Sequence, residues 1–410
     1  MTAIQAAPFD LREQSLLPGF DEVISPLTRE NFLTNYWGNS FVRLPGRPRR
    51  FESLLPWSEL NEILEQHRLQ PPRFQLFQDG KPVEPSRYLS LRAEGSPASL
   101  KSADLMNCLY AGATLVLDQV DELAPRVREL AADFEDVLRI YTSVNLYAGW
   151  RTQKGFDLHW DSQDTIILQL DGRKHWKVYR PTRLHPLKKD VDKPPEPKED
   201  PVWDGILENG EMIYMPRGWW HVAYPLDEPS LHLTVTIAPA HGSQLLKWFV
   251  DQLKKHPEVR MDVPHLASSE EQQRYLARLH SLLVESWRDD LLDRFFADLD
   301  AKAQGRPHIR LPEGAVRGNA AMGPHSLVRL AVGRRLSFRT LDGTESVSFR
   351  ANETQWQCSA EIVPALRALS HNSARSVRDL CSLLPASQAV PKLKIFLTAL
   401  AMGGVLWVEP

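Results

Sequence analysis

The sequence predicts an α+β fold with a strand-rich centre. Residues from about 138 to 240 alternate short apolar runs with turns, which is typical of strands. Residues from about 243 to 301 repeat apolar side chains every three or four positions, which predicts amphipathic helices. From about residue 325 a hairpin pattern is combined with short helical patterns. We therefore expect a β-structure in the middle of the chain with helical parts after it.

The central segment predicts a series of short strands. Residues 165–170 form an almost continuous apolar run, typical of a buried strand, and a second strand is predicted at 175–179. Residues 212–215 form a further apolar strand, and the Pro-Arg-Gly sequence at 216–218 predicts a tight bend. This bend would bring His221 to the mouth of a barrel.

Changes in composition and in hydropathy pattern divide the chain into four parts. Residues 1–125 are rich in proline and predict an N-terminal cap on the barrel, which occupies 126–240. A helical segment follows at 241–324, and a separate C-terminal domain is predicted at 325–410. The length of 410 residues by itself suggests two or three domains.

The helical segment has a broad apolar stripe. Residues 243–255 and 269–301 both show helical spacing, and Ser268 with Glu271 predicts a capping box at a helix start. A stripe of this breadth is typical of a core or of a dimer surface.

The C-terminal part predicts a winged-helix-like domain. Strands at 334–339 and 345–349 would be joined by a turn at Asp342 and Gly343. Such a domain binds nucleic acid or protein, and we expect no direct nucleic-acid binding because no concentrated basic helix is present. The other elements predicted here are helices at 360–370, 376–384 and 392–402 and a strand at 405–408.

Composition favours a soluble cytoplasmic enzyme. Residues 1–15 lack an apolar signal core, and no uncharged stretch reaches the roughly 18 residues that cross a bilayer. The formal net charge is only −3, which excludes a strong electrostatic signature for nucleic acid. Cys108, Cys358 and Cys381 are too far apart to form a disulfide framework or a CxxC metal site, as expected in a reducing compartment.

His159, Asp161 and His221 form the candidate metal site. Residues two apart on a strand project from one face, so His159 and Asp161 can bind one ion together, and His221 from a distant strand would complete the set. Two imidazoles and one carboxylate leave three adjacent positions open, which suits non-haem Fe(II) oxygen chemistry. The alternative is chance, since 13 histidines and 52 acidic residues produce many HxD triplets.

The central motifs resemble those of a known family. The segment from Val144 through His159 and Asp161 to Trp176, with Met215-Pro-Arg-Gly-Trp-Trp-His221 and Ser230-Leu-His-Leu-Thr234, is similar to the JmjC-type cupins of the ribosomal oxygenase group. The resemblance covers about residues 140 to 240 and implies a double-stranded β-helix barrel. The order of cap, barrel, helical segment and winged-helix-like tail matches that group by pattern.

The resemblance implies a role for each residue of the site. His159, Asp161 and His221 fall on the iron ligands, and Lys174 on the residue that pairs with the distal carboxylate of 2-oxoglutarate. The alternative for Lys174 is an exposed lysine in a turn. Asn145, Thr234 and Thr236 fall near the cosubstrate. Four tryptophans depart from the group's pattern on the substrate side, namely Trp150, Trp160, Trp219 and Trp220.

The implied reaction is protein hydroxylation with Fe(II), 2-oxoglutarate and O2. 2-Oxoglutarate would be converted to succinate and CO2, and an arginine or histidine of a ribosomal protein would gain a hydroxyl group. The resemblance also implies a homodimer formed through the helical segment. Three alternatives remain open, namely the same chemistry on a peptide natural product or small molecule, N-methyl-lysine demethylation, and a non-catalytic cupin that only binds a partner.

Overall fold

The computed structural model describes residues 17–90, 99–188, 190, 194–303, 305–306, 322–331, 336–340, 345–371 and 373–409. The chain divides into two compact units, residues 1–239 and residues 240–410. Residues 1–15, in which we expect no signal core, and the predicted turn at Asp342 and Gly343 lie outside the described residues.

The first unit contains five α-helices and fourteen strands among the described residues. The helices are α1 (Phe20–Val23), α2 (Arg29–Asn35), α3 (Trp57–Gln66), α4 (Ser102–Tyr110) and α5 (Pro125–Leu138). The first seven strands are β1 (Val42–Leu44), β2 (Phe74–Gln78), β3 (Lys81–Pro82), β4 (Leu89–Ser90), β5 (Ser99–Leu100), β6 (Thr114–Leu117) and β7 (Thr142–Gly149). The next seven are β8 (His159–Trp160), β9 (Asp164–Asp171), β10 (Lys174–Tyr179), β11 (Trp203–Leu207), β12 (Met212–Met215), β13 (Trp220–Pro225) and β14 (Ser230–Ile237).

Two sheets form the predicted barrel. The larger has the strand order β1-β12-β9-β14-β7-β6-β2-β3, and the smaller has the order β11-β10-β13-β8. The region predicted as a cap thus contributes β1, β2, β3 and β6 to the larger sheet itself. An apolar cluster that includes Ile167, Ile213, Trp176 and Val178 contains side chains from both sheets.

Strand alternation decides which side chains enter the barrel. On β9, Ile166 and Leu168 belong to the large core formed with the N-terminal helices, whereas Ile167 between them belongs to the cluster shared by the two sheets. Because successive side chains point to opposite faces, β7 and β14 divide in the same way. Their core-facing members are Val144, Leu146, Leu231, Leu233 and Val235, and the intervening residues face the barrel interior.

The strands predicted at 165–170, 175–179 and 212–215 are confirmed as parts of β9, β10 and β12. Gly218 adopts a φ of +87° in the predicted bend, a backbone conformation that favours glycine. A Cβ atom at this position would also lie 2.6 Å from Cδ of Pro186. The bend therefore requires glycine for two independent reasons.

The second unit begins with four helices. These are α6 (Gly242–Leu253), α7 (Pro257–Arg260), α8 (Ser269–Ser286) and α9 (Leu291–Lys302). The capping box is confirmed, because the Ser268 side chain accepts from the Glu271 amide while the Glu271 carboxylate accepts from the Ser268 amide. The helical pattern predicted over 269–301 is divided in two, because α8 ends at Ser286 and α9 begins only after Asp290.

The remainder of the second unit combines small sheets and helices around one core. The strands form two sheets with the orders β19-β15-β20 and β16-β17-β18. The elements are β15 (Leu327–Leu330), β16 (Arg339–Thr340), β17 (Ser346–Ala351), β18 (Thr354–Ser359), β19 (Arg375–Ser376), β20 (Leu406–Val408), α10 (Val363–Arg367), α11 (Val377–Ser382) and α12 (Ala389–Met402).

The longer hairpin of this region differs from the prediction. β17 pairs with β18 over six residues around Asn352 and Glu353, whereas β16 pairs with β17 over only two. Both turn residues have positive φ, as a two-residue type I′ turn requires. The turn lacks glycine, so its sequence signal is weak, and β18 was missed. A winged-helix assignment stays a prediction.

Candidate metal centre

His159, Asp161 and His221 converge on one point. Their potential ligand atoms all lie within 4.8 Å of one another. The Nε2 atom of His221 is 3.7 Å from Oδ2 of Asp161, and the centroids of the two imidazoles are 4.3 Å apart. His221 is buried, while His159 and Asp161 are half-buried and face an open side. At these distances the three ligand atoms could bind a single metal ion placed between them.

Cross-strand pairing brings the ligands together. His221 on β13 lies directly opposite His159 on β8 in the antiparallel register. Asp161 follows the end of β8, and its carbonyl accepts a hydrogen bond from the Gly218 amide at 2.9 Å. The bend before β13 is thereby joined to the chain at the first two ligands.

Backbone carbonyls fix the tautomers of both histidines. Nδ1 of His159 donates to the carbonyl of Asp157 at 2.7 Å, and Nδ1 of His221 donates to the carbonyl of Trp219 at 3.1 Å. Nε2 of each ring therefore keeps its lone pair for a metal ion. Burial, helped by the neighbouring His159, lowers the pKa of His221 to about 4. His221 is accordingly neutral near pH 7, as a ligand must be.

Lys174 lies in the same cavity as the three ligands. The cavity has a volume of about 230 Å³. Lys174 is only 7% exposed, which overturns the alternative of an exposed turn lysine. Burial lowers the pKa of its ammonium to about 7. No carboxylate among the residues that the structure describes pairs with it, so Lys174 can bind the carboxylate of a ligand.

Three further polar groups line this cavity and were not predicted from the sequence. Within the described ranges, Oγ1 of Thr114, Nε1 of Trp176 and Nδ1 of His232 are buried without a hydrogen-bond partner. Buried polar atoms are normally satisfied, so unsatisfied ones in a cavity indicate a polar ligand. Alternation on β14 could have revealed His232, because it shares a face with Thr234. Alternation on β10 could likewise have revealed Trp176, which shares a face with Lys174, whereas Thr114 carried no comparable signal.

A larger cleft lies beside the inner cavity. It has a volume of about 680 Å³, and Asp161, Tyr147 and Thr234 line both spaces. The cleft also contains Asn145 and Thr236. The structure therefore places Thr234 in the inner cavity, together with Lys174, and Asn145 and Thr236 only in the cleft. Oδ1 of Asn145 is already engaged, because it accepts from the Gln119 amide at 3.0 Å.

The four tryptophans that depart from the family pattern do not crowd the site. In the part of the chain that the structure describes, none of them lines either cavity. Trp150 packs on Trp57, and Trp219 packs on Phe41. Trp220 is fully buried and donates from Nε1 to Oγ1 of Thr182. Their bulk therefore does not restrict the cleft directly.

The sequence of the barrel matches a known family. Residues 123–245 match the profile of the JmjC domain. This part of the chain is therefore similar to a JmjC domain. This domain begins before α5, ends after β14 and includes all three candidate ligands. The resemblance to the ribosomal oxygenase group that the motifs predict is also confirmed by relatives and by solved structures.

Two curated relatives illustrate the similarity beyond the JmjC domain. The bifunctional lysine-specific demethylase and histidyl-hydroxylase NO66 of Aedes aegypti is 23% identical over 315 residues, 72% of this chain and 48% of that protein. Ribosomal oxygenase 1 of Rattus norvegicus is 28% identical over 224 residues, 53% of this chain and 36% of that protein. The matches thus span half or less of the length of these relatives.

The fold has a counterpart among solved structures. Escherichia coli ribosomal oxygenase YcfD matches with a TM-score of 0.59 and 18% identity, over 93% of this chain and 98% of that one. A second YcfD structure, with cobalt and 2-oxoglutarate, has the same TM-score and identity over 94% of this chain and 99% of that one. The match confirms a cupin-type JmjC barrel within a mixed α and β fold. Of the helices that the structure describes, none combines the length and the apolar character that crossing a membrane requires.

Proposed function

We propose that this protein is an Fe(II)- and 2-oxoglutarate-dependent oxygenase that hydroxylates a protein side chain. The observation that carries the proposal is the convergence of His159, Asp161 and His221 in one cavity with the unpaired ammonium of Lys174. Two imidazoles and a carboxylate are the donor set of non-haem iron oxygenases. The cobalt and 2-oxoglutarate complex of E. coli YcfD supports the same pair of ligands.

The residues of the inner cavity fit 2-oxoglutarate. Lys174 would pair with the distal carboxylate, which satisfies the buried ammonium by a charge-assisted hydrogen bond. Thr114, Trp176 and His232 offer polar atoms that otherwise lack partners, and His232 is neutral because burial keeps its pKa well below the usual value. When bound, iron would supply the oxidising chemistry by which 2-oxoglutarate, O2 and a C–H bond yield succinate, CO2 and an alcohol.

The cleft would hold the side chain that is oxidised. Because Asp161, Tyr147 and Thr234 line both spaces, a side chain in the cleft reaches the open side of the metal centre. Asp118 places a half-buried carboxylate in the cleft, which suits an arginine or a protonated histidine. We assign a ribosomal protein as the substrate, supported by the similarity to Ribosomal oxygenase 1 of Rattus norvegicus and to the ribosomal oxygenase YcfD of E. coli.

The experiment is an assay of ribosomal proteins with purified enzyme, Fe(II), ascorbate and 2-oxoglutarate. We expect succinate formation coupled to the gain of one oxygen atom on an arginine or histidine, and no product with Asp161→Ala. Loss of a methyl group from lysine would instead support demethylation, which the name of the NO66 relatives favours as the second candidate. If 2-oxoglutarate turnover is never coupled to oxidation of any peptide, the hydroxylase assignment is wrong.

The helical segment supports a homodimer as part of the proposal. None of the described residues of α8 is buried, although the helix spans 18 residues. Helices in water gain most of their stability from packing of an apolar face, so α8 needs a partner surface. Its exposed apolar side chains form one stripe, and α6 exposes Leu246 and Val250. The stripe on and after α8 consists of Leu276, Leu283, Val284 and Trp287.

A second copy of the chain is the proposed partner of α8. Sedimentation equilibrium should give twice the monomer mass for the wild type and the monomer mass for the double variant Leu276→Ser, Leu283→Ser. The matched control is Glu285→Ser, on the opposite face of α8, which should stay dimeric. A monomeric wild-type protein would exclude this assembly.

A cytoplasmic location and the lack of direct nucleic-acid binding stay predictions.

A further inference from the structure

Asp164 is a buried carboxylate that bonds the start of β9 to the segment before His221. It is the first residue of β9, three positions after Asp161, and is only 2% exposed. Its Oδ2 atom accepts a hydrogen bond from the Tyr214 hydroxyl at 2.7 Å, and its Oδ1 atom accepts from the Arg217 amide at 3.0 Å. Both carboxylate oxygens are therefore engaged.

Both donors belong to the segment that leads to His221. Tyr214 lies on β12, and Arg217 lies in the bend between β12 and β13. The Tyr214 hydroxyl also accepts from the Gly38 amide at 2.7 Å, so its orientation is fixed from two sides. Asp164 thus connects the chain that follows the first two ligands with the chain that precedes the third.

The strand that carries His159 has few other restraints. β8 is two residues long and pairs with β13 only through His159 and Trp160. One further bond, from the Gly218 amide to the Asp161 carbonyl, joins the bend to this segment. The pairing of β12 with β9 ends at Met215 and Thr165, so the bond from the Arg217 amide to Asp164 extends the connection from these strands into the bend itself.

We infer that Asp164 is a positioning residue, which holds the bend at 216–218 where His221 can share an ion with His159 and Asp161. The inference rests on the proposed function, since it assumes that these three residues bind a metal. A buried carboxylate at this position costs folding free energy. Burial raises the pKa of Asp164, although the two hydrogen bonds favour the ionised form and lower it in part. An apolar side chain could fill the same space but could not hold the Arg217 amide.

Cobalt(II) binding measured by calorimetry tests this role without catalysis. Removing an outer-shell partner weakens metal binding by roughly 10- to 100-fold in known sites, and we expect this for Asp164→Ala. Asp164→Asn keeps an acceptor for the Arg217 amide, so it should restore most of the affinity. We also expect the absorption bands of the bound cobalt to shift in the alanine variant at saturating metal, since the ligand geometry changes.

Asp133→Ala is the matched control. The Asp133 carboxylate is half-buried and accepts a hydrogen bond from the Phe20 amide at the start of α1, remote in sequence from every ligand. This variant should lose thermal stability and keep the cobalt affinity of the wild type. If Asp164→Ala fails to fold, Tyr214→Phe provides the second measurement, with an expected loss of about threefold in affinity for one bond fewer to Asp164.

The outcomes separate the two levels of the proposal. Wild-type cobalt affinity and an unchanged spectrum in folded Asp164→Ala, or in Tyr214→Phe if only that variant folds, would overturn the positioning role alone. A wild-type protein that binds no cobalt would overturn the metal centre itself and this inference with it. Weaker binding in Asp164→Ala that is largely restored in Asp164→Asn, with unchanged binding in Asp133→Ala, supports the inference.

Discussion

The imidazole of His232 stacks on the phenol ring of Tyr147, with ring centroids 5.0 Å apart and planes inclined by only 6°. Tyr147 lines both cavities, whereas His232 lines only the inner one. Desolvation of the phenol holds the pKa of Tyr147 above its usual range, so the ring is neutral. Tyr147 therefore forms part of the wall that the inner cavity and the cleft share, and His232 packs against it on the side of the inner cavity.

Replacing Tyr147 should affect both binding steps. Tyr147→Leu removes the stack, and because aromatic pairs contribute about 0.5–1.5 kcal/mol, we expect KM for 2-oxoglutarate and for the peptide to rise by up to about tenfold. Tyr147→Phe keeps the ring and should stay within about twofold of the wild type for 2-oxoglutarate. Steady-state kinetics with each substrate varied in turn measures both constants. Unchanged constants in Tyr147→Leu would contradict a shared wall.

The affinity for 2-oxoglutarate should fall as pH rises above about 7. Burial lowers the pKa of Lys174 to about 7 in the empty site, so the charged form that a carboxylate needs is depleted at higher pH. Apparent affinity follows the protonated fraction and should weaken by about tenfold for each pH unit above 7. Calorimetric titration between pH 6 and pH 9, with a redox-inert metal present, measures this dependence.

The other titratable groups in the cavity must be compared with Lys174 as sources of this pH dependence. His159, Asp161, His221, His232 and Tyr147 line the same space. Burial lowers the pKa of both His221 and His232, so neither changes its charge above pH 7. Above this pH, Lys174 should take up a proton when 2-oxoglutarate binds. The measured heat of binding should then depend on the ionisation enthalpy of the buffer that supplies the proton. A constant affinity from pH 6 to pH 9 would contradict the assignment.

Lys174→Met should stabilise the empty protein. An unpaired buried ammonium costs folding free energy, and the depressed pKa of Lys174 makes that cost about 1–4 kcal/mol near pH 7. Methionine has a similar length and no charge, so we expect a higher Tm together with the loss of 2-oxoglutarate binding. Lys177→Met is the control, because Lys177 is on the other face of β10 and pairs with Asp204 at 3.2 Å. A lower Tm for Lys174→Met would show that the ammonium is satisfied.

Asp118 should select for a cationic side chain in the cleft. Burial raises the pKa of Asp118 and the charge of Arg73 opposes this, so the carboxylate gains from a further cationic partner. Asp118→Asn should lower kcat/KM for an arginine peptide by about 10- to 100-fold, with little change in cobalt affinity. The control Asp21→Asn alters an exposed carboxylate paired with Arg29 at 2.8 Å. Equal activity of Asp118→Asn and wild type would assign substrate charge recognition to other residues.

Local patterns predicted the elements beside the ligands, because each has a strong signal of its own. The apolar run of β9 and the Pro-Arg-Gly bend lie beside the ligands, and alternation brings Thr234 into the barrel. Alternation also places Trp176 on the face of Lys174 on β10, but Thr114 could not be found in this way, because its role depends on which distant strands pair. The break between α8 and α9 was missed for another reason, since the apolar spacing continues across it although the hydrogen bonding does not.

His159 and His221 lie opposite each other on β8 and β13, although 61 residues separate them in the chain. Geometry at the ion consequently depends on strand register, not on the length of the intervening segment. That segment includes residues 196–200, which are mostly exposed, and the chain can gain or lose residues there while the ligands keep their spacing. An engineer could insert a recognition peptide at this position and leave the pairing of the two histidines unchanged.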